Sequence, residues 1–144
     1  MEWTIREARL SDCAAIARLN REEMGYDYPE EQTREKLRAC LANPAHKVLV
    51  AERGGEVLGY LHLADYDVLY FPHLKNVLGL AVSHRCRRQG AGKALLAAGE
   101  AWAGETGAAG VRLVSGEERK GAHAFYQSLG YRGNKLQRNF KKPL

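Results

Sequence analysis

One stretch limits what this chain can become: Val82 to Leu96, VSHRCRRQGAGKALL. Before it runs Asn76 to Val82, apolar enough for a buried strand. After it, Ala94, Leu95, Ala98 and Trp102 recur at helical spacing across Lys93 to Ala103. The order is therefore strand, basic glycine-rich turn, helix. Such a turn leaves backbone N–H groups unpaired where the helix dipole is positive. Gly90 and Gly92 admit a ligand close to the backbone, and Arg85, Arg87, Arg88 and Lys93 add cations. The combination predicts an anion site suited to phosphates.

Gly-x-Gly alone is a weak signal. The P-loop spacing and the dinucleotide pattern Gly-x-Gly-x-x-Gly are both absent. What remains is Arg87-x-x-Gly90-x-Gly92, directly after a strand and opening a helix. It resembles the acetyl-CoA pyrophosphate signature of the GNAT superfamily of N-acetyltransferases. A second block, Ala122 to Tyr131 (AHAFYQSLGY), is similar to that family's late helix and the strand after it. The two blocks stand in the family's order, about 35 residues apart.

At 144 residues the chain is most simply one domain, 1–144, large enough to bury a core without staples. Apolar content of 45% and charged content of 27% fit a soluble globular protein, and no window approaches the ~20 apolar residues of a membrane span. The polar start, Met1 to Glu7, does not read as a signal peptide. Cys13, Cys40 and Cys86 form no Cys-x-x-Cys pair, which predicts reduced thiols in a cytoplasm. No metal is expected, zinc included, because no Cys/His pairs cluster at ligand spacing. The net charge of +5 raises nucleic-acid binding. The basic residues concentrate in the turn and in the tail, at Lys135, Arg138, Lys141 and Lys142. A polyphosphate cofactor accounts for the first group, and a solvated strand edge for the second. The expected partners thus include neither nucleic acid nor membrane.

Along the chain, Trp3 to Arg6 alternates as a strand. Ser11-Asp12 caps a helix to about Glu23. Met24 to Glu31 is a loop, and Thr33 caps a second helix that Asn43-Pro44 stops. Lys47 to Glu52 and Glu56 to Ala64 form a hairpin across Gly54-Gly55. Asp65 to Leu74 reads as a loop or the end of a long strand. Gly104 and Gly107 break the helix after the turn. Val111 to Val114 is a short strand, and Glu117 to Leu129 a helix closed by Gly130. Tyr131 and Gln137 to Lys142 supply final strands. This order agrees with the fold that the resemblance implies: α/β (α+β), with a mixed, mostly antiparallel sheet flanked by about four helices.

The resemblance implies acetyl transfer from acetyl-CoA to a primary amine, with CoA as product. Leu80, Ala81 and Val82 would carry main-chain contacts to the pantetheine arm. Arg87, Arg88, Gln89, Gly90, Ala91, Gly92 and Lys93 would meet the pyrophosphate. Many members carry Asn at the start of the late helix; here stands Arg119, and Arg119 or Lys120 could instead reach the adenosine 3′-phosphate. Tyr126 occupies the place of the usual general acid and touches the cofactor. Its competing role is packing with Phe125 and Tyr131. Tyr26, Asp27, Tyr28, Asp65 and Asp67 would line the acceptor site, a small molecule or peptide amine. Where some relatives place a glutamate base this chain has Asn76. Candidates left are Asp65, Asp67, His62, His73 and Glu52, and a water-relayed proton path without one essential base is the expectation. A homodimer is the family-level expectation. Two other classes remain: a degenerate CoA-binding module without turnover, and a nucleic-acid binder resting only on charge.

Overall fold

The computed structural model describes residues 2–133 and 135–144. The chain divides into two compact units, Met1–Leu113 and Val114–Leu144. In the first, five strands lie in the order β1 (Thr4–Glu7), β2 (His46–Arg53), β3 (Glu56–Tyr66), β4 (Leu74–Val82) and β5 (Gly110–Arg112). Neighbours run antiparallel except β4 and β5, which are parallel. The sheet is thus mixed and mostly antiparallel, as expected. Gly54 and Gly55, both at positive φ, close the β2–β3 hairpin.

Helices α1 (Cys13–Met24) and α2 (Glu30–Leu41) cover one face. They bury Ile16, Leu19 and Leu37 against Val48, Val50, Val57 and Tyr60. Side chains alternate along a strand, so Leu61 and Leu63 emerge on the other face. There they meet α3 (Ala91–Glu105), whose Gly99 lies against both. Leu61, Leu63 and Leu95 are fully buried.

One expected helix cap holds in position and one does not. Asp12 stands at the N-cap of α1, as expected, but its carboxylate accepts the Arg9 N–H at 2.7 Å and the Arg6 guanidinium at 2.8 and 2.9 Å and no N–H of α1. Arg6 also pairs with Glu52 at 2.8 Å, so the Asp12 side chain ties the helix start to β1 and β2. Thr33 lies inside α2, where its hydroxyl donates to the Pro29 carbonyl at 3.0 Å. Pro29 opens that helix, and Glu30 and Glu31 meet its positive end. Asp65 and Tyr66 complete β3, and residues 67–73 form the loop.

The second unit holds α4 (Lys120–Ser128), with Arg119 at its N-cap. Glu117 to Arg119 is a turn, so this helix starts later than expected. Gly130 follows it at φ 95°, and the Tyr131 N–H donates to the Tyr126 carbonyl at 3.0 Å. The strands expected at Tyr131 and Gln137 to Lys142 do not form: these described residues belong to no sheet. Among the described residues no helix is long and apolar enough to cross a membrane.

Candidate functional site

The turn after β4 is fastened from several sides. The Ser83 N–H donates to the Leu58 carbonyl at 2.8 Å, and the Ser83 carbonyl accepts from the Cys86 N–H. From α1, the Glu23 carboxylate takes the His84 N–H at 3.0 Å, the His84 ring at 2.7 Å and Arg87 at 2.8 Å. Burial alone would raise the Glu23 pKa, but these hydrogen bonds outweigh it and hold the carboxyl below its ordinary range. Arg85 pairs with Glu56 at 2.6 Å. On the other flank, the Trp3 indole donates to the Gln89 carbonyl at 2.8 Å, and Arg53 donates to the Gln89 side chain at 2.7 Å. The Arg53 guanidinium lies 4.2 Å from the Trp3 ring.

These ties leave one set of groups unused. Among the described residues, no protein oxygen accepts from the backbone N–H groups of Arg88, Gln89, Gly90, Ala91, Gly92 or Lys93; the first bond of the helix is Ala94 N–H to the Gly90 carbonyl. Gly90 makes the bend at φ 90°, and Arg88 itself stands at φ 63°. Two of the four cations are neutralised by carboxylates, while Arg88 and Lys93 are exposed and have no ion-pair partner among the described residues. The turn is an anion cradle made mainly of amides.

Among the described residues, no strand pairs with the outer edge of the strand feeding the cradle beyond Asn76. β5 pairs with β4 only from Leu74 to Asn76. Beyond that point Leu78 forms a bulge, since His62 opposes Gly79 while Leu63 opposes Val77. Ser83 and, by alternation, Ala81 and Gly79 turn their backbone groups to β3. Leu80 and Val82 therefore turn theirs to the unpaired edge. An extended, amide-bearing ligand can lie there with its anionic end at Gly90.

A model described as the Acetyltransferase (GNAT) family matches residues 13–131. This chain belongs to that family. The uncharacterized N-acetyltransferase YhfO of Bacillus subtilis is 33% identical over 133 residues, 88% of each chain. Mycothiol acetyltransferase of Salinispora arenicola is 32% identical over 135 residues, covering 94% of this chain but 41% of that protein. Among solved structures, AAC(6')-Iy in complex with the bisubstrate analogue CoA-S-monomethyl-acetylneamine superposes with a TM-score of 0.88 at 16% identity, over 100% of both chains.

Other residues expected to serve this GNAT chain come from different elements. Tyr26, Asp27 and Tyr28 lie exposed between α1 and α2, with Lys36 Nζ 5.8 Å from the Tyr28 ring. Asp65 belongs to the α3 face instead. It bonds the buried ammonium of Lys75, which lies 4.0 Å from the Trp102 ring. His73 Nε2 stands 3.2 Å from the same oxygen without hydrogen-bond alignment. Asp67 is exposed in the following loop. In the second unit, the Tyr126 ring packs near Phe125 and Tyr131, with centroids 5.3 and 6.0 Å apart. Burial raises its phenol pKa against the opposing charge of Arg119.

Sequence reasoning missed one constellation in this GNAT domain. A cavity of about 430 Å³ lies between α1, α2 and the sheet, lined in part by Tyr28, Cys40, His46, Tyr60 and His62. The Tyr60 hydroxyl donates to Asn20, and burial pushes its pKa up to about 12. Cys40 Sγ is 3.7 Å from His46 Nδ1 and 3.6 Å from His62 Nε2; the two ring nitrogens are 2.9 Å apart. The expectation that no Cys and His cluster is thereby corrected. The short Cys40-x-x-x-x-x-His46 interval, followed by His62 on the next strand, was the available signal.

Proposed function

We propose that this chain moves the acetyl group of acetyl-CoA to a primary amine, and that its two units work as one domain. The observation that carries the reading is the run of unaccepted amides from Arg88 to Lys93, continuous with the open edge at Leu80 and Val82. Amides at a helix start suit a diphosphate, and a strand edge suits the amide groups of pantetheine. A CoA adduct bound to the AAC(6')-Iy relative supports it.

In this reading the cofactor's pyrophosphate sits on those amides with Arg88 and Lys93, and Arg119 reaches the adenosine phosphate. The amine nitrogen attacks the thioester carbon, and the C–S bond breaks. Tyr126 gives its phenolic proton to the departing sulfur. The amine's proton leaves through water, with no single essential carboxylate or imidazole. The acceptor, a small molecule or peptide, enters beside Tyr26, Asp27 and Tyr28. Asp65, held by Lys75 on the other face, is left out. The setting is cytoplasmic, and the active form a homodimer.

A panel of amines assayed for thiol release from acetyl-CoA tests the reading. Amine-dependent release is expected with at least one cationic acceptor. Saturable CoA binding without release from any amine would favour a binding module, and absence of CoA binding would end the assignment.

Arg88→Gly separates fold from site. Glycine relieves a left-handed residue of about 1–2 kcal/mol, but glycine's own entropy takes back about 0.5–1. Thermal stability should therefore match wild type or exceed it by up to about 1.5 kcal/mol. CoA affinity should fall about tenfold or more, from one lost charge-assisted contact of about 1.5 kcal/mol. Calorimetric titration and a thermal melt of the same variant check both halves.

A further inference from the structure

From the donors that converge on the α1–α2 cavity, we infer that Cys40, His46 and His62 form a three-ligand zinc site with its fourth position open to that cavity. Zinc takes thiolate sulfur at about 2.3 Å and imidazole nitrogen at about 2.0–2.1 Å in tetrahedral geometry. Those lengths require S···N edges of about 3.6 Å and an N···N edge of about 3.3–3.4 Å. The two S···N separations are 3.6 and 3.7 Å. The N···N separation is 2.9 Å, so the imidazoles need to part by about half an ångström.

The three ligands come from three elements that the core already fixes: Cys40 from α2, His46 from the start of β2 and His62 from β3. His46 pairs in register with Ala64, two residues beyond His62, which puts both rings on the α2 face. All three side chains are half-buried, so the ion is shielded yet reachable. One thiolate with two imidazoles suits zinc rather than magnesium or calcium, which prefer oxygen. Cys40 enters as thiolate, its proton going to solvent. Water, or a donor atom of a small molecule in the cavity, completes the shell. Among the described residues the other candidate donor group, Glu22, Glu23 and His84, is committed elsewhere, because Glu23 already holds Arg87 and His84.

The test is titration of the full untagged chain with cobalt(II) chloride, followed by displacement with zinc chloride. One equivalent should bind, with a thiolate-to-cobalt charge-transfer band and the intense visible bands of four-coordinate cobalt. Cys40→Ser should lose the charge-transfer band, and Cys13→Ala should keep it. His62→Asn should weaken binding by more than the ~10–100-fold typical of residues that only support a ligand. On the wild-type chain, zinc should protect Cys40 from alkylation, read by peptide mass spectrometry; this arm stands even if a variant fails to fold. Absence of saturable binding, a six-coordinate spectrum, a band that survives Cys40→Ser, or alkylation unchanged by zinc would each overturn the site.

Discussion

Tyr126→Phe is expected to lower kcat by about 10²–10⁴-fold, the range typical of one positioned acid. KM for acetyl-CoA should hardly move. Cofactor binding in this reading rests on the amides of Arg88 to Lys93, and proton transfer to sulfur occurs only as the C–S bond breaks. A loss in kcat with unchanged KM marks an interaction made in the transition state. The fold should tolerate the change, because phenylalanine keeps the ring beside Phe125 and Tyr131. The sign with pH follows from burial, which raises the phenol above its ordinary value of 10.0. The protonated form is the active one. Tyr126 therefore supplies its proton across the neutral range, and its contribution fades only as pH rises through that raised value. Steady-state kinetics on both proteins, over a pH series, decide it. A variant within about threefold of wild type would show that water protonates the thiolate and that Tyr126 merely packs.

The strand, turn and helix of the cradle were legible because each is local. An apolar run, two glycines and a helical period lie within Asn76 to Trp102. The charge state of the turn was not legible. Arg85 and Arg87 look like two free cations in the chain, yet Glu56 and Glu23 reach them from 29 and 64 residues away. Thr33 misled for a related reason. A threonine before an apolar period reads as a cap, but Pro29 already fixes the helix start and Glu30 and Glu31 fill the first turn. Asp65 shows the limit at the site. Its type suits a cationic acceptor, but period two in β3 turns it to the α3 face, where a buried lysine claims it. Cys40, His46 and His62 meet only because α2 packs on β2 and β3, a fact with no local trace beyond spacing.

Lys75 and Asp65 should respond to mutation unequally, though they form one pair. The Lys75 side chain is 2% exposed and that of Asp65 is 37% exposed. Asp65→Ala strands an ammonium in the interior with the Trp102 face as its main remaining support, and breaking a buried pair in this way costs about 3–5 kcal/mol. Water entering through the space left by Asp65 favours the lower end. About 3 kcal/mol corresponds to a fall in Tm of roughly 6–12 °C for a chain of this size. Lys75→Met should cost less than about 1 kcal/mol: it keeps an unbranched side chain against Trp102 and returns the carboxylate to water. The double variant should track Lys75→Met. Acid gives an independent check. Burial pushes the Asp65 carboxyl up, but Lys75 and His73 pull it further down, below its ordinary 3.8. The stability it adds is therefore complete above that value and is lost as pH falls through the lower folded one. Wild type should lose that increment in the acid range, and Lys75→Met should not. Thermal melts of the four proteins across pH settle the order. If Asp65→Ala is no worse than Lys75→Met, the lysine has its own route to solvent and the pair holds nothing in place.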